Sequence, residues 1–244
     1  MDAIELAKEL TINSSNIVAF TGAGASTESN IPDFRSAGGL YGSKSKYEYP
    51  PETMLSHTFF VEHTETFFDY YKNNLIFKDA KPNECHKALA RLEASGKLKA
   101  VITQNVDGLH QSAGSENVIE LHGSVYRNSC MKCGKKFGLD YILITDKVPV
   151  CDACGGIVKP EVTLYEEMLD EVAINKAVNY IRAADVLIVI GTSLVVYPAA
   201  SFVDYYRGGK LILINKSETP YDSKARLAIH ESAGKVLSEI VSGI

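Results

Sequence analysis

Nothing in this chain of 244 residues is apolar over a length that would pass for a membrane span. The longest uncharged stretch, residues 186–203, is long enough, but Gly191, Thr192, Ser193, Tyr197, Pro198 and Ser201 interrupt it. It therefore reads as strand, loop and helix. An export signal is missing too, because the first ten residues carry Asp2, Glu5, Lys8 and Glu9 and have no apolar core. Nor is there a surplus of positive charge. With 25 Lys and Arg against 30 Asp and Glu, the formal net charge of -5 argues against a nucleic-acid surface. Compositional disorder is excluded by 45% hydrophobic and 23% charged residues, which are globular values. The expectation is a cytoplasmic protein of one large α/β domain with an inserted module.

Cysteine is scarce and unevenly placed. Four of the five form Cys130-x-x-Cys133 and Cys151-x-x-Cys154, with seventeen residues between the pairs. Without an export signal, that pattern favours a metal site over disulfides. Four thiolates at this spacing close a tetrahedral zinc site and leave no position for substrate, so the metal is structural. Gly134 and Gly155-Gly156 suit the tight turns each pair needs. The fifth, Cys85, falls on the apolar face of an amphipathic helix predicted over residues 82–94, where it acts as a small hydrophobe, and His86 beside it reads as structural.

What the chain has in number is short apolar runs that end in glycine or polar residues. Residues 17–20 lead into Thr21-Gly22-Ala23-Gly24-Ala25-Ser26-Thr27; residues 98–102 lead into Gln104, Asn105 and Asp107; residues 118–121 end at His122-Gly123. Residues 186–190 are followed by Gly191-Thr192-Ser193, and residues 211–214 by Asn215. Uninterrupted apolar strands suit a parallel sheet covered on both faces, whose ligands bind beyond the carboxyl ends of the strands. The glycine turn would let backbone approach a pyrophosphate, with the helix expected after it supplying N–H groups and a favourable dipole. It is not the standard dinucleotide fingerprint, since Thr27 replaces the third glycine, and an ordinary strand-to-helix turn fits as well. The amide pair can orient a ligand, while a histidine near its ordinary pKa can take a proton. A hydrogen-bonded packing role is the competing reading of His122.

Other stretches fill in the outline. Asn30-Ile31-Pro32-Asp33-Phe34-Arg35 brings a ring that can wall off a ligand and a guanidinium that can pair with phosphate or with Asp33. Residues 36–51, rich in Gly, Ser, Tyr and Pro, read as a mobile loop over a ligand. Helical spacing is present over residues 3–10, 56–77, 171–183 and 234–240, and residues 157–164 read as extended.

Taken together, Gly22-Ala23-Gly24-Ala25-Ser26, Ile31-Pro32-Asp33-Phe34-Arg35, Thr103-Gln104-Asn105-Val106-Asp107, Leu121-His122-Gly123, the paired cysteines and Gly191-Thr192-Ser193 resemble the sirtuins, the NAD-dependent protein lysine deacylases. The resemblance runs in order along nearly the whole chain. It implies a Rossmann-like NAD-binding domain of residues 1–35, 78–125 and 160–244. A small domain would combine a helical and cofactor-loop part, 36–77, with a zinc-binding part, 126–159, holding one structural Zn2+ per chain. It further implies loss of nicotinamide from C1′ assisted by the acyl oxygen, and release of free lysine and O-acyl-ADP-ribose. His122 matches the general base that takes a ribose proton, and Asn105 and Asp107 match positions that orient the ribose and the carboxamide. Ala23, Thr27, Phe34, Arg35, Gln104, Val106, Thr192, Ser193, Asn215 and Ala233 match cofactor contacts. Acylated lysines of proteins would be the partners of a monomer, with neither nucleic acid nor membrane involved. Mono-ADP-ribosyl transfer and a non-catalytic NAD or zinc-ribbon binding module are the alternatives. Asn30 and Tyr165-Glu166-Glu167 stand where the family usually has glycine and Phe-Gly-Glu; the extra charge of Glu166 suggests a bias toward basic residues beside the target lysine. No Tyr-x-x-Arg pair in residues 36–77 favours acidic acyl groups, so a small neutral acyl is the default.

Overall fold

All five residues of β1 (Ile17–Thr21) are buried, because this strand lies in the middle of a sheet packed on both faces. The computed structural model describes residues 2–36, 38–41 and 47–244. Beside β1 run β2 (Leu98–Thr103) and then β3 (Val118–Glu120) on one side. The antiparallel set of β4 (Gly123–Cys130), β5 (Lys136–Phe137) and β6 (Val158–Val162) makes a separate three-stranded sheet in the order β5-β4-β6. On the other side of β1 come β7 (Val186–Ile190), β8 (Leu211–Ile214) and β9 (Leu227–Ile229), giving a six-stranded parallel sheet in the order β3-β2-β1-β7-β8-β9. The chain winds outward from β1 in both directions. That reversal opens a crevice at the carboxyl end of β1, where such sheets bind ligands.

Three helix groups cover these sheets. The helices in chain order are α1 (Ala3–Ile12), α2 (Pro51–Met54), α3 (His57–Glu62), α4 (Thr64–Asn74), α5 (Glu84–Ala94), α6 (Leu109–Ser112), α7 (Leu139–Leu143), α8 (Glu171–Ala183) and α9 (Ala233–Ile240). Alternation along β1 and β7 divides their side chains between two cores. Ile17, Ala19, Val186 and Ile188 pack under α1, α5 and α9, whereas Val18, Phe20, Leu187 and Val189 pack against α8 and the turn Ala199–Tyr205. The aromatic run of α3 and α4 forms a third core with the small sheet, in which Phe60, Phe67 and Phe68 meet edge to face and Phe67 stacks on Tyr71. His63 divides the predicted helix over residues 56–77 into α3 and α4.

Two expectations change. The helix predicted after the glycine turn is replaced by two short 3-10 turns, Ala23–Ala25 and Thr27–Ser29, which end where Asn30 turns left-handed at φ 61°. Pro32 follows directly, so the segment cannot continue as a helix. A full helix dipole is therefore not what faces the crevice there. The loop read over residues 36–51 includes residues 37 and 42–46, which lie outside the described residues. Its described start folds back: Leu40 N–H donates to Asp33 O at 2.8 Å and Tyr41 N–H to Phe34 O at 2.9 Å. Among the described residues no helix is long and apolar enough to cross a membrane.

Candidate active site and metal centre

A cleft of about 590 Å³ opens over the carboxyl end of β1, between the large sheet and residues 55, 74–77 and 162–169. That volume is in the range of small-molecule and cofactor sites. Its floor is the glycine turn after β1. The turn lies so close to the turn after β7 that a Cβ on Gly24 would come within 2.7 Å of Gly191 Cα, and one on Gly22 within 2.7 Å of Thr192 Cβ. Only glycine permits this approach, and it clears a backbone-lined cradle for a ligand. Gln104 Nε2 donates to Thr192 Oγ1 at 3.1 Å, bracing the loops after β2 and β7 across the turn.

His122 occupies the corner at which the chain leaves β3 and starts β4. Gly123 makes that corner possible, with φ 76° and Glu161 O at 1.9 Å from the position a Cβ would take. Thr163 N–H then donates to His122 O at 3.0 Å and fixes the backbone. The ring's Nδ1 is 2.9 Å from Gln104 O; a carbonyl can only accept, so Nδ1 carries the proton and Nε2 is left with its lone pair. Burial pushes the His122 pKa below its ordinary value, partly opposed by the bond to Gln104 O. At neutral pH the imidazole is uncharged and able to accept a proton.

Facing it is a polar cluster joined by Ser26. This hydroxyl donates to Asp107 Oδ2 at 2.7 Å and accepts from Asn105 Nδ2 at 3.0 Å. Leu109 N–H donates to Asp107 Oδ1 at 2.9 Å. Burial raises the Asp107 pKa, and the Leu109 and Ser26 bonds counter part of the rise. Behind the cluster sit two fully buried histidines with ring centroids 4.8 Å apart. His86 Nδ1 accepts from Asn83 N–H at 3.2 Å, closing the capping box of α5, and its Nε2 is 3.4 Å from Ser26 Oγ. His110 Nε2 lies 3.0 Å from Thr21 Oγ1, while its Nδ1 has no hydrogen-bond partner among the described residues.

Every residue singled out from the sequence as a base, orienting group or cofactor contact lines this one cleft, from Ala23, Thr27, Phe34 and Arg35 through Gln104, Asn105, Val106, Asp107 and His122 to Thr192, Ser193, Asn215 and Ala233. Asp33 is held by backbone: its Oδ1 accepts from the N–H of Arg35 at 3.1 Å and of Ser36 at 2.8 Å, while the Arg35 guanidinium sits over the Tyr41 ring at 5.5 Å. Sequence reasoning missed Ser26 as the hub of the cluster, though a hydroxyl closing the Gly22-Ala23-Gly24-Ala25 turn was the available signal. It also missed Glu28, whose Oε1 accepts from Gly234 N–H at 3.0 Å and so ties the glycine turn to the start of α9. Nothing in the local pattern marks that contact.

The carboxylate of Glu166, whose charge suggested a bias toward basic residues beside the target lysine, is tethered to the helical segment. Its Oε2 accepts from Thr58 N–H at 2.9 Å and Thr58 Oγ1 at 2.7 Å, and these donors hold its pKa below the usual carboxylate value. The charge placed beside the groove already has partners within the protein.

The sulfur atoms of Cys130, Cys133, Cys151 and Cys154 all lie within 4.8 Å of one another. Cys130 and Cys154 Sγ are 3.4 Å apart and Cys133 and Cys151 Sγ 3.6 Å, far beyond a disulfide bond. A tetrahedron with Zn–S bonds of about 2.3 Å has edges of about 3.8 Å, so the donor set fits zinc and closes all four positions. Lys132 N–H points at Cys130 Sγ at 3.4 Å, as expected of a cysteine knuckle stabilising thiolate.

A profile of the Sir2 family matches residues 22–198. An NAD-dependent protein deacetylase of Clostridium tetani is 64% identical over 242 residues, which cover 99% of this chain and 98% of that protein. One from Clostridium acetobutylicum is 60% identical over 242 residues, 99% of each chain. Among solved structures, one described as the structural basis for the mechanism and regulation of Sir2 enzymes aligns with a TM-score of 0.90 at 38% identity, covering 99% of this chain and 97% of that one. A Sir2 complex with a p53 peptide and NAD+ aligns at 0.84 with 37% identity, covering 99% and 98%.

Proposed function

This chain belongs to the Sir2 family, and from that premise we propose that its cleft performs NAD-dependent deacetylation of protein lysine side chains with His122 as the general base. The observation that carries the role of His122 is its tautomer: Nδ1–H is committed to Gln104 O, which leaves Nε2 free in the cleft shared with the glycine turn and the amides. NAD, when bound, supplies the ribose to which the acyl group passes as nicotinamide departs. Nε2 of His122 receives a proton from a ribose hydroxyl, and the ring's lowered pKa keeps it ready to do so. Asn105 and Asp107, held by Ser26, orient the sugar and the carboxamide. Backbone N–H groups of the glycine turn would hold the pyrophosphate, with no bulky side chain in the way. Phe34, Thr192, Ser193, Asn215 and Ala233 line the same cleft and in this reading supply its remaining cofactor contacts. Zinc, held by Cys130, Cys133, Cys151 and Cys154, ties the small sheet together and takes no part in the chemistry. The acidic charge and a cysteine set arranged for metal support action in the cytoplasm and without nucleic acid.

Incubation with NAD and an acetyl-lysine peptide, followed by mass detection, should yield free lysine peptide, nicotinamide and O-acetyl-ADP-ribose. His122→Ala should lower turnover by about 10²–10⁴-fold, the usual share of a general base. Nicotinamide release with ADP-ribose left on protein, and no deacetylated peptide, would instead identify mono-ADP-ribosyl transfer.

A further inference from the structure

His230 lies outside the set of residues that line the cleft, yet both nitrogens of its ring are engaged. Its Nδ1 is 3.1 Å from Asn215 O and its Nε2 3.0 Å from Asp222 Oδ2. Both partners only accept, so the ring makes the two bonds at once when a proton sits on each nitrogen. Asn215 is where the chain leaves β8, and Asp222 opens the turn Asp222–Lys224 that ends the following loop. The other carboxylate oxygen, Asp222 Oδ1, accepts from Thr219 N–H at 2.9 Å and Thr219 Oγ1 at 2.6 Å, fixing the far end of that loop. Asn215 Nδ2 donates to Ser217 O at 2.7 Å and curls the near end. One imidazole therefore grips both ends of residues 215–222.

This loop is part of the cleft wall. Asn215, Lys216, Ser217 and Glu218 line it, and so do Glu231 and Ala233 on the segment that carries His230. Order along the sheet indicates which part of the cofactor meets them. His122 follows β3 at one edge, the glycine turn follows β1 in the middle, and Asn215 follows β8 toward the other edge. With the reacting ribose beside His122 and the pyrophosphate over the glycine turn, the adenosine half would extend toward β8.

We propose that His230 is a positioning residue for the adenosine half of NAD: by joining Asn215 to Asp222 it sets the loop 215–222 against the cofactor, while touching neither the cofactor nor the reacting atoms. The inference rests on the NAD-dependent reading above.

Calorimetric titration with ADP-ribose, and steady-state kinetics with NAD and an acetyl-lysine peptide, test it in His230→Ala, Asp222→Asn, Asp222→Ala and the His230→Ala/Asp222→Ala pair. His230→Ala should weaken ADP-ribose binding roughly threefold to tenfold, the scale of a lost hydrogen bond, and raise the KM for NAD similarly. Both kcat and the peptide KM should stay within roughly twofold of wild type. Asp222→Asn should also bind ADP-ribose within roughly twofold of wild type, since its oxygen still accepts from Thr219 and its amide can donate to a singly protonated ring. Asp222→Ala should weaken binding, and the pair should lose less than the product of the two single losses, because both act through one bridge. Unchanged ADP-ribose affinity in His230→Ala, or losses that multiply in the pair, would overturn the proposal. So would a peptide KM that rises in step with the KM for NAD, because a general loosening of the fold moves both. A wild-type protein that binds no ADP-ribose would instead strike down the NAD-dependent reading, and the inference with it.

Discussion

Lowering the pH from 7 to 5 should cost this fold about 4 kcal/mol through two imidazoles alone. Burial pushes His86 down to about 4 and His110 down to about 3, the latter also disfavoured by His86 beside it. Above pH 6.5 both rings are neutral whether the chain is folded or not, and nothing is lost. Below 6.5 the unfolded chain takes up protons that the folded one refuses, so stability falls by up to about 1.4 kcal/mol per pH unit for each ring. The loss for each ring stops growing only when the folded form titrates, near 4 and near 3. At pH 5 the gap from 6.5 is about 1.5 units, or about 2 kcal/mol per ring. The contacts explain the refusal: a charged His86 would have to give up its acceptance from Asn83 N–H, and a charged His110 would have a second donor with no acceptor. Urea unfolding of zinc-loaded protein at both pH values, for wild type and for a His86→Gln/His110→Gln variant, isolates the effect because carboxylates and zinc ligands are common to both. Glutamine at position 86 also retains the capping-box acceptor. Equal pH dependence in the two proteins would refute the reasoning.

Three further outcomes follow from the geometry. Because burial lowers the His122 pKa, the acid limb of kcat/KM should fall below pH 6.5, with the base fully competent from pH 7 upward; a limb centred above 7 in a pH-rate profile would contradict this. One zinc per chain should be found by elemental analysis, and stripping it with a strong chelator should unfold the small sheet, seen as loss of amide protection in β4 and β6 by hydrogen exchange. Gly24→Ala should destabilise the protein by about 1–3 kcal/mol in thermal unfolding and raise the KM for NAD, since backbone at Gly191 blocks the new methyl, whereas Gly209→Ala meets nothing within 4 Å and should be silent.

The parts of this structure that were legible in the sequence are those whose signal is local. Runs such as Val186–Ile190 and Leu211–Ile214 are apolar throughout because both faces of the strand are covered, and the structure places β7 and β8 on the same residues. The cysteine spacing fixed the metal cluster for the same reason: knuckle geometry is set within a few residues. β4 gave no warning, since Tyr126, Arg127 and Asn128 do not alternate cleanly and the strand exists by pairing with β6 some thirty residues away. β9, only Leu227–Ile229, is too short for periodicity to mark. In the site, the residue types at strand ends were readable, but which atom points where was not. The tautomer of His122 depends on Gln104 O, and the occupation of Glu166 depends on Thr58, more than one hundred positions earlier.

The contact between Glu28 and Gly234 has a temporal side. The Glu28 carboxylate beside the glycine turn is anchored by the amide of a residue made 206 positions later. Val236, Leu237 and Ile240 of the same late helix complete one wall of the core beneath β1. A nascent chain therefore carries its glycine turn unanchored until α9 is made, and a premature stop before α9 would release a protein with its sheet exposed and that turn slack.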